Sequence, residues 1–203
     1  MRIIETRGAP NPRRVRIFLA EKRISMPFEE VDLMEGALRT PEFTVLNPMQ
    51  RVPVLILDDG TAISESVAIC RYFEELQPEP ALFGRGAVGR ANVEMWNRRV
   101  ELGLFAAVAT VFRHLHPKMS HLEVPQVAAW GEANKTKVVE MLSLLDATLA
   151  KRPFIAGEDY SIADITALVA IDFMKPAHIE RPEGLVNVRR WQGEVSARES
   201  ARA

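Results

Sequence analysis

The sequence predicts an α/β N-terminal half, built as a mixed four-stranded sheet with three helices, followed by an all-α C-terminal half. Three observations predict it. Short Val/Ile/Leu runs alternate with helix-period apolar stripes as far as Leu76, and only helical periods follow. At the change of pattern, Gln77-Pro78-Glu79-Pro80 stops a helix and Gly84-Arg85-Gly86 prolongs the break. Within the first half, Arg51-Val52-Pro53-Val54-Leu55-Ile56-Leu57 sets a proline at the mouth of an apolar strand. Proline lacks the N–H that a strand ladder needs, so this placement predicts a cis peptide at Val52-Pro53. The expected division is 1–78, a linker at 79–87, and 88–203.

Taken in order, Ile3-Ile4 make a short strand and Arg7-Gly8-Ala9-Pro10 a loop. Asn11 reads as an N-cap and Pro12 as the first helical residue, with Val15, Phe18 and Leu19 as the apolar stripe of a helix over 12–24. A second strand is expected at 27–32 and a short irregular helix at 38–46. A hairpin follows from 54–57 to 61–63, turning at Asp58-Asp59-Gly60. Ile69, Tyr72, Phe73 and Leu76 then fall at i, i+3, i+4 and i+7 of a third helix. The order β-α-β-α-β-β-α matches the thioredoxin-like arrangement.

In the second half, Val93 through Val111 marks one long helix ending near Pro117, and Val127 through Leu149 marks another. Ser161 with Asp164 reads as a capping box, with Tyr160 and Ile165 as its hydrophobic staple, so Asp164 is assigned a structural role. A last helix is expected around 188–195.

With 26 basic and 27 acidic side chains among 203 residues, no net field favours nucleic acid or an anionic membrane. No apolar segment approaches the roughly 20 residues of a membrane span, and the N-terminus enters a strand pattern at once, so a soluble cytoplasmic protein is expected. The one cysteine, Cys70, has no internal disulfide partner and reads as a buried small hydrophobe. His114 and His116, two apart on a helix, point to different faces without a Cys or carboxylate cluster, so no metal is expected. Arg39 and Lys22 are expected as surface charges.

A bend at Pro53 exposes the Val52 N–H and carbonyl to an extended partner, and a helix starting at Glu65 and Ser66 presents unsatisfied N–H groups that attract a carboxylate. These residues, together with the Met1-Arg2-Ile3-Ile4-Glu5 strand, Asn11-Pro12-Arg13-Arg14-Val15, Asn47-Pro48, Phe154-Ile155-Ala156-Gly157 and Ser161-Ile162-Ala163-Asp164-Ile165, resemble the glutathione transferase family over nearly the whole chain. The resemblance implies glutathione as co-substrate. Ser66 would hold its γ-glutamyl α-carboxylate, Glu65 its amine, Val52 beside Pro53 its cysteinyl amide, and Arg51 or Gln50 its glycyl or glutamyl end. Family members commonly carry glycine where Gln50 stands.

The family's chemistry is to make a thiolate from a thiol of pKa about 8.5, each unit of depression needing roughly 1.4 kcal/mol. Most members use a Tyr, Ser or Cys in the loop after the first strand, but Ala9 and Pro10 stand there in this chain. The chain therefore resembles an atypical branch in which a histidine and a serine of the helical half hold a water against the sulfur. His114 and Ser120 resemble that pair, and Glu94 through Glu101 resembles the same branch. The structural alternatives are a helix C-terminal histidine and a capping serine; Asn11 and the first helix N-terminus are further candidates for the sulfur.

The implied reaction is conjugation of glutathione to a hydrophobic small-molecule electrophile, with Phe105, Val108, Phe112, Met119, Phe173 and Met174 as pocket or core residues. The alternatives are a non-enzymatic binding module of the same fold, or a glutathione-dependent peroxidase or isomerase. A homodimer is implied by the resemblance.

Overall fold

The structure, a computed structural model, describes residues 1–32 and 36–203. The chain divides into two compact units, Met1–Ala81 with Glu199–Ala203, and Leu82–Arg198.

The first unit is ordered as β1 (Arg2–Glu5), α1 (Pro10–Glu21), β2 (Phe28–Glu30), a 3-10 turn at Ala37–Arg39, α2 (Pro41–Leu46), β3 (Val54–Ile56), β4 (Ala62–Ser64) and α3 (Ser66–Leu76). Its four strands form one mixed sheet in the order β2-β1-β3-β4. β1 and β2 are parallel, as a helical crossover requires, whereas β3 and β4 are an antiparallel hairpin turning through Gly60 at φ 88°. Strand alternation divides the core. Ile4, Val54 and Ile56 face a cluster with Leu38, Phe43 and Val52, leaving Ile3 and Leu55 on the opposite face.

Two expectations in this unit are corrected. α1 begins at Pro10 rather than Pro12, with Ala9 in extended conformation as its N-cap and no side-chain cap. A proline at the first helical position loses no hydrogen bond and holds the preceding residue extended, so Pro10 sets the start. Asn11 is left inside the first turn, where it contacts Ser66 instead of capping. Lys22, expected at the surface, is fully buried. It pairs with Glu74 and donates to the carbonyls of Gln77 and Pro80 at 2.7 and 2.6 Å, while Gln77 Nε2 returns a bond to the Lys22 carbonyl. Burial of an ammonium is tolerated because three oxygens replace its water shell. Arg39 is exposed, as expected.

The second unit contains α4 (Gly86–Arg99), α5 (Ala106–Leu115), a 3-10 turn at Pro117–Met119, α6 (Ala128–Leu149), α7 (Ile162–Phe173) and α8 (Val186–Ser196). The single long helix expected from the Val93–Val111 periodicity is interrupted by six π-helical residues, Val100–Phe105, that join α4 to α5. Their wide turns are closed at the end by Ala106 N–H donating to the Glu101 carbonyl, five residues back. α5 and α6 pack closely at Gly131, where a Cβ would lie 2.6 Å from Leu115 Cγ. Inside, the Thr166 hydroxyl donates to Asn97 Oδ1 at 2.7 Å, joining α7 to α4.

The capping box at α7 forms as expected. Asp164, fully buried, accepts from the N–H groups of Ile155 and Ser161, the Ser161 hydroxyl and Trp191 Nε1, all within 3.0 Å. Burial pushes its carboxyl up, against those donors. Its position is structural, tying α7 to the preceding loop and to α8.

Candidate functional site

The site of the first unit starts from the loop before β3. Asn47, buried at the end of α2, donates from Nδ2 to the Arg51 carbonyl at 2.7 Å and accepts from Met49 N–H at 3.0 Å. The chain is thereby curled over Met49-Gln50 and delivered into Val52-Pro53, whose peptide is cis. Among the described residues neither the N–H nor the carbonyl of Val52 has a hydrogen-bond partner, although the residue is only 9% exposed. Nearly all such buried groups are paired, so an open pair of donor and acceptor is a place for an extended ligand.

Next to it stands the N-terminus of α3. Glu65, at φ 69°, is its N-cap residue and provides no side-chain cap. The first intrahelical bond runs from Ile69 N–H to the Glu65 carbonyl, leaving the N–H groups before it directed out of the helix end. Ser66 is 4% exposed; its hydroxyl accepts from Arg14 Nη1 at 2.8 Å and lies 3.4 Å from Asn11 Oδ1. A cleft is lined by Asn11, Asn47, Arg51, Val52, Glu65 and Ser66 together with Met49 and Pro53. It holds a main-chain edge, a helix N-terminus, one exposed carboxylate and one exposed guanidinium. Such a set can grip an extended peptide that carries a carboxylate, an amine and a second carboxylate.

The residues expected from sequence are brought together here except Gln50. At φ 52°, it turns Nε2 toward Thr44 Oγ1 at 3.0 Å and does not line the cleft. Arg14 and Asn47 were missed as site residues. Their partners, Ser66 and the Arg51 carbonyl, are set by tertiary placement that a local pattern does not encode. In the loop between β1 and α1, the Thr6 hydroxyl donates to the Val31 carbonyl at 2.6 Å and Glu5 is buried against Arg16. Cys70 is fully buried and burial pushes its thiol up, which keeps it protonated and unreactive.

In the second unit, His114 Nδ1 accepts from Val127 N–H at 3.1 Å, joining the end of α5 to the start of α6. Nε2 lies 3.8 Å from Glu123 Oε1. Ser120 is exposed after the 3-10 turn, and its hydroxyl has no partner among the described residues. Of the expected apolar set, Phe105, Val108 and Met174 are buried. Phe112 and Phe173 form a ring pair at 4.9 Å, continued by His116 at 4.8 Å from Phe112 and by His178 stacked on His116. No group of three or more His, Cys, Asp or Glu side chains among the described residues is placed to hold a metal.

A mixed thioredoxin-like sheet carrying a cis-proline edge beside an open helix start, in one chain with an all-helical unit, is the two-unit architecture that the resemblance implies. The chain belongs to the glutathione S-transferase family. Residues 9–76 match the glutathione S-transferase N-terminal domain and residues 128–191 the C-terminal domain. The chain is 35% identical to glutathione S-transferase 2 of Saccharomyces cerevisiae, over 100% of its own length and 88% of that protein's. A glutathione S-transferase domain-containing protein of Marinobacter aquaeolei superposes with a TM-score of 0.96 at 39% identity, covering 98% of this chain and 99% of that one. The Gtt2-class glutathione S-transferase of Vibrio parahaemolyticus gives 0.87 at 39% identity, covering 98% and 95%.

Proposed function

We infer that this protein is a glutathione transferase that joins the glutathione sulfur to hydrophobic electrophiles. The single observation that carries the reading is the open Val52 main chain beside the uncapped start of α3. In this reading the cysteinyl amide pairs with the Val52 N–H and carbonyl, and the γ-glutamyl α-carboxylate meets the Ser66 hydroxyl and the α3 N–H groups. Glu65 orients the amine, and Arg51 reaches the glycyl carboxylate. Binding at the helix start suits an anion because the N–H groups and the dipole act together.

Chemistry requires the thiol proton to leave to solvent, a carbon–sulfur bond to form, and the leaving group of the electrophile to depart with its electron pair. No Tyr, Ser or Cys stands in the loop before α1, which supports the atypical branch. There, His114 and Ser120 are the proposed holders of a water that hydrogen-bonds the thiolate, with Asn11 and the α1 N–H groups as alternatives. Support comes from His114 itself: with Nδ1 accepting from Val127 N–H, the neutral ring carries its proton on Nε2 and is set as a donor. The proposed working form is a cytoplasmic homodimer. Among the described residues no helix is long and apolar enough to cross a membrane.

Calorimetric titration with glutathione followed by a chlorodinitrobenzene conjugation assay tests the reading. Binding with turnover is expected; binding without turnover across several electrophiles sinks the catalytic part, and no binding sinks the whole. His114→Ala is expected to lower the rate at unchanged glutathione affinity, and a full rate in that variant removes His114 from the mechanism.

A further inference from the structure

The Ser66 hydroxyl has one proton and two lone pairs, and its neighbours decide where that proton goes. Arg14 is 1% exposed, with Nη1 2.8 Å from Ser66 Oγ. A guanidinium only donates, so Ser66 is the acceptor in this bond and one lone pair is taken. Its own proton is left for another oxygen. Asn11 Oδ1 lies at 3.4 Å, longer than the usual range for an O–H···O bond. A carboxylate at the start of α3 is a stronger acceptor and draws that proton away from Asn11.

We propose that Arg14 is a positioning residue for the carboxylate end of the glutathione site, holding the Ser66 hydroxyl as a donor aimed at the γ-glutamyl α-carboxylate. This rests on the glutathione reading above and extends it to a residue that does not line the cleft. The placement follows from α1: Asn11 and Arg14 are three apart and therefore share one helix face. Asn11 reaches Ser66 at the rim of the cleft, and Arg14 reaches it from within the core. Arg14 also places a permanent positive charge behind the helix start, in surroundings that screen it less than water does.

The test compares glutathione with γ-aminobutyryl-cysteinyl-glycine, which lacks only the α-carboxylate. Both are titrated calorimetrically into the parent protein, Arg14→Lys, Arg14→Met, Ser66→Ala and the Arg14→Lys/Ser66→Ala double variant. The parent is expected to favour glutathione. Arg14→Met is expected to lose about tenfold in glutathione affinity while its affinity for the analogue stays within about twofold, as for the loss of one charge-assisted bond. Arg14→Lys is expected to fall between parent and Arg14→Met, and it reads the same preference if Arg14→Met does not fold. In the Ser66→Ala background, Arg14→Lys is expected to change little further. An equal loss for both peptides, or an undiminished Arg14 effect without the Ser66 hydroxyl, overturns the proposal while leaving the glutathione reading intact. A parent protein with no preference for the carboxylate overturns both.

Discussion

The starts of α3 and α7 are both built on a serine, and they end in opposite states. At α7, Ser161 and Asp164 satisfy one another, and Asp164 takes up two further donors from Ile155 and Trp191. At α3, Glu65 offers no cap, Ser66 turns its hydroxyl to Arg14 and Asn11, and the adjacent Val52 main chain has no partner among the described residues. The difference lies in where each serine stands. Ser161 is the N-cap of α7, with an acidic residue at N3 that closes the start, whereas Ser66 is the first residue inside α3, behind Glu65 as N-cap and with Ala68 at N3, so that start stays open. A closed helix start contributes to stability, and an open one leaves N–H groups free for a ligand.

The contrast can be broken from the closed side first. Asp164→Ala strips the acceptor from four donors in the core, and a loss of about 3 to 5 kcal/mol in denaturant-measured stability is expected. A loss below about 1 kcal/mol would show that the box is not what holds α7. Next in size, Lys22→Met leaves the buried Glu74 carboxylate without its ammonium partner and is expected to cost about 3 kcal/mol, read from the shift of the urea midpoint. On the open side, Ser66→Ala is expected to weaken glutathione by about 1 to 3 kcal/mol in calorimetry, with a smaller fall in the thermal midpoint from the lost Arg14 bond. A large fall in the midpoint with unchanged binding would reverse the assignment.

The smallest effect is expected at a third helix start, that of α8, which is capped at long range by Asp146 of α6. Its carboxylate accepts from Val188 N–H and from the N–H and side-chain amide of Asn187, at 2.8 to 2.9 Å. Desolvation pushes the Asp146 carboxyl up, but these three donors outweigh it and hold it below the usual range. Since the folded state favours the charged form, the stabilisation is present at neutral pH and fades as pH falls through the carboxylate range. Asp146→Asn is expected to cost about 1 kcal/mol near pH 7, and the gap to the parent should close below about pH 4. A gap that widens in acid contradicts the assignment.

What was legible in the sequence is what neighbouring residues decide. The Val52-Pro53 bend, the Ser161–Asp164 box and the open start at Glu65-Ser66 depend on residues within a few positions, and each is present. The start of α1 falls two residues earlier than expected because Pro10 and Pro12 carry the same local signal, and the earlier proline, holding Ala9 extended, sets it. Lys22 was misread for a related reason. Its partners lie 52 to 58 positions away, and a lysine destined for such company has the same local pattern as one on the surface. Arg13 and Arg14 are adjacent in sequence, yet only Arg14 is buried on the Ser66 side, four positions before Phe18 on the apolar stripe.

The π-helical stretch at Val100–Phe105 has a consequence for what lengths of chain this protein tolerates. Such a stretch behaves as one surplus residue absorbed within an otherwise regular α-helix. Deleting a single residue there would restore ordinary α-winding, and because six residues in wide turns advance about as far around the axis as five α-helical ones, everything downstream would keep its azimuth. Phe112 would stay against Phe173 and His114 near Val127 N–H, whereas a deletion in the regular turns of α4 would rotate both away by about 100°. The wide turns mark the one stretch of this helix whose length can shrink by a residue while the end of α5 presents its rings at the same azimuth.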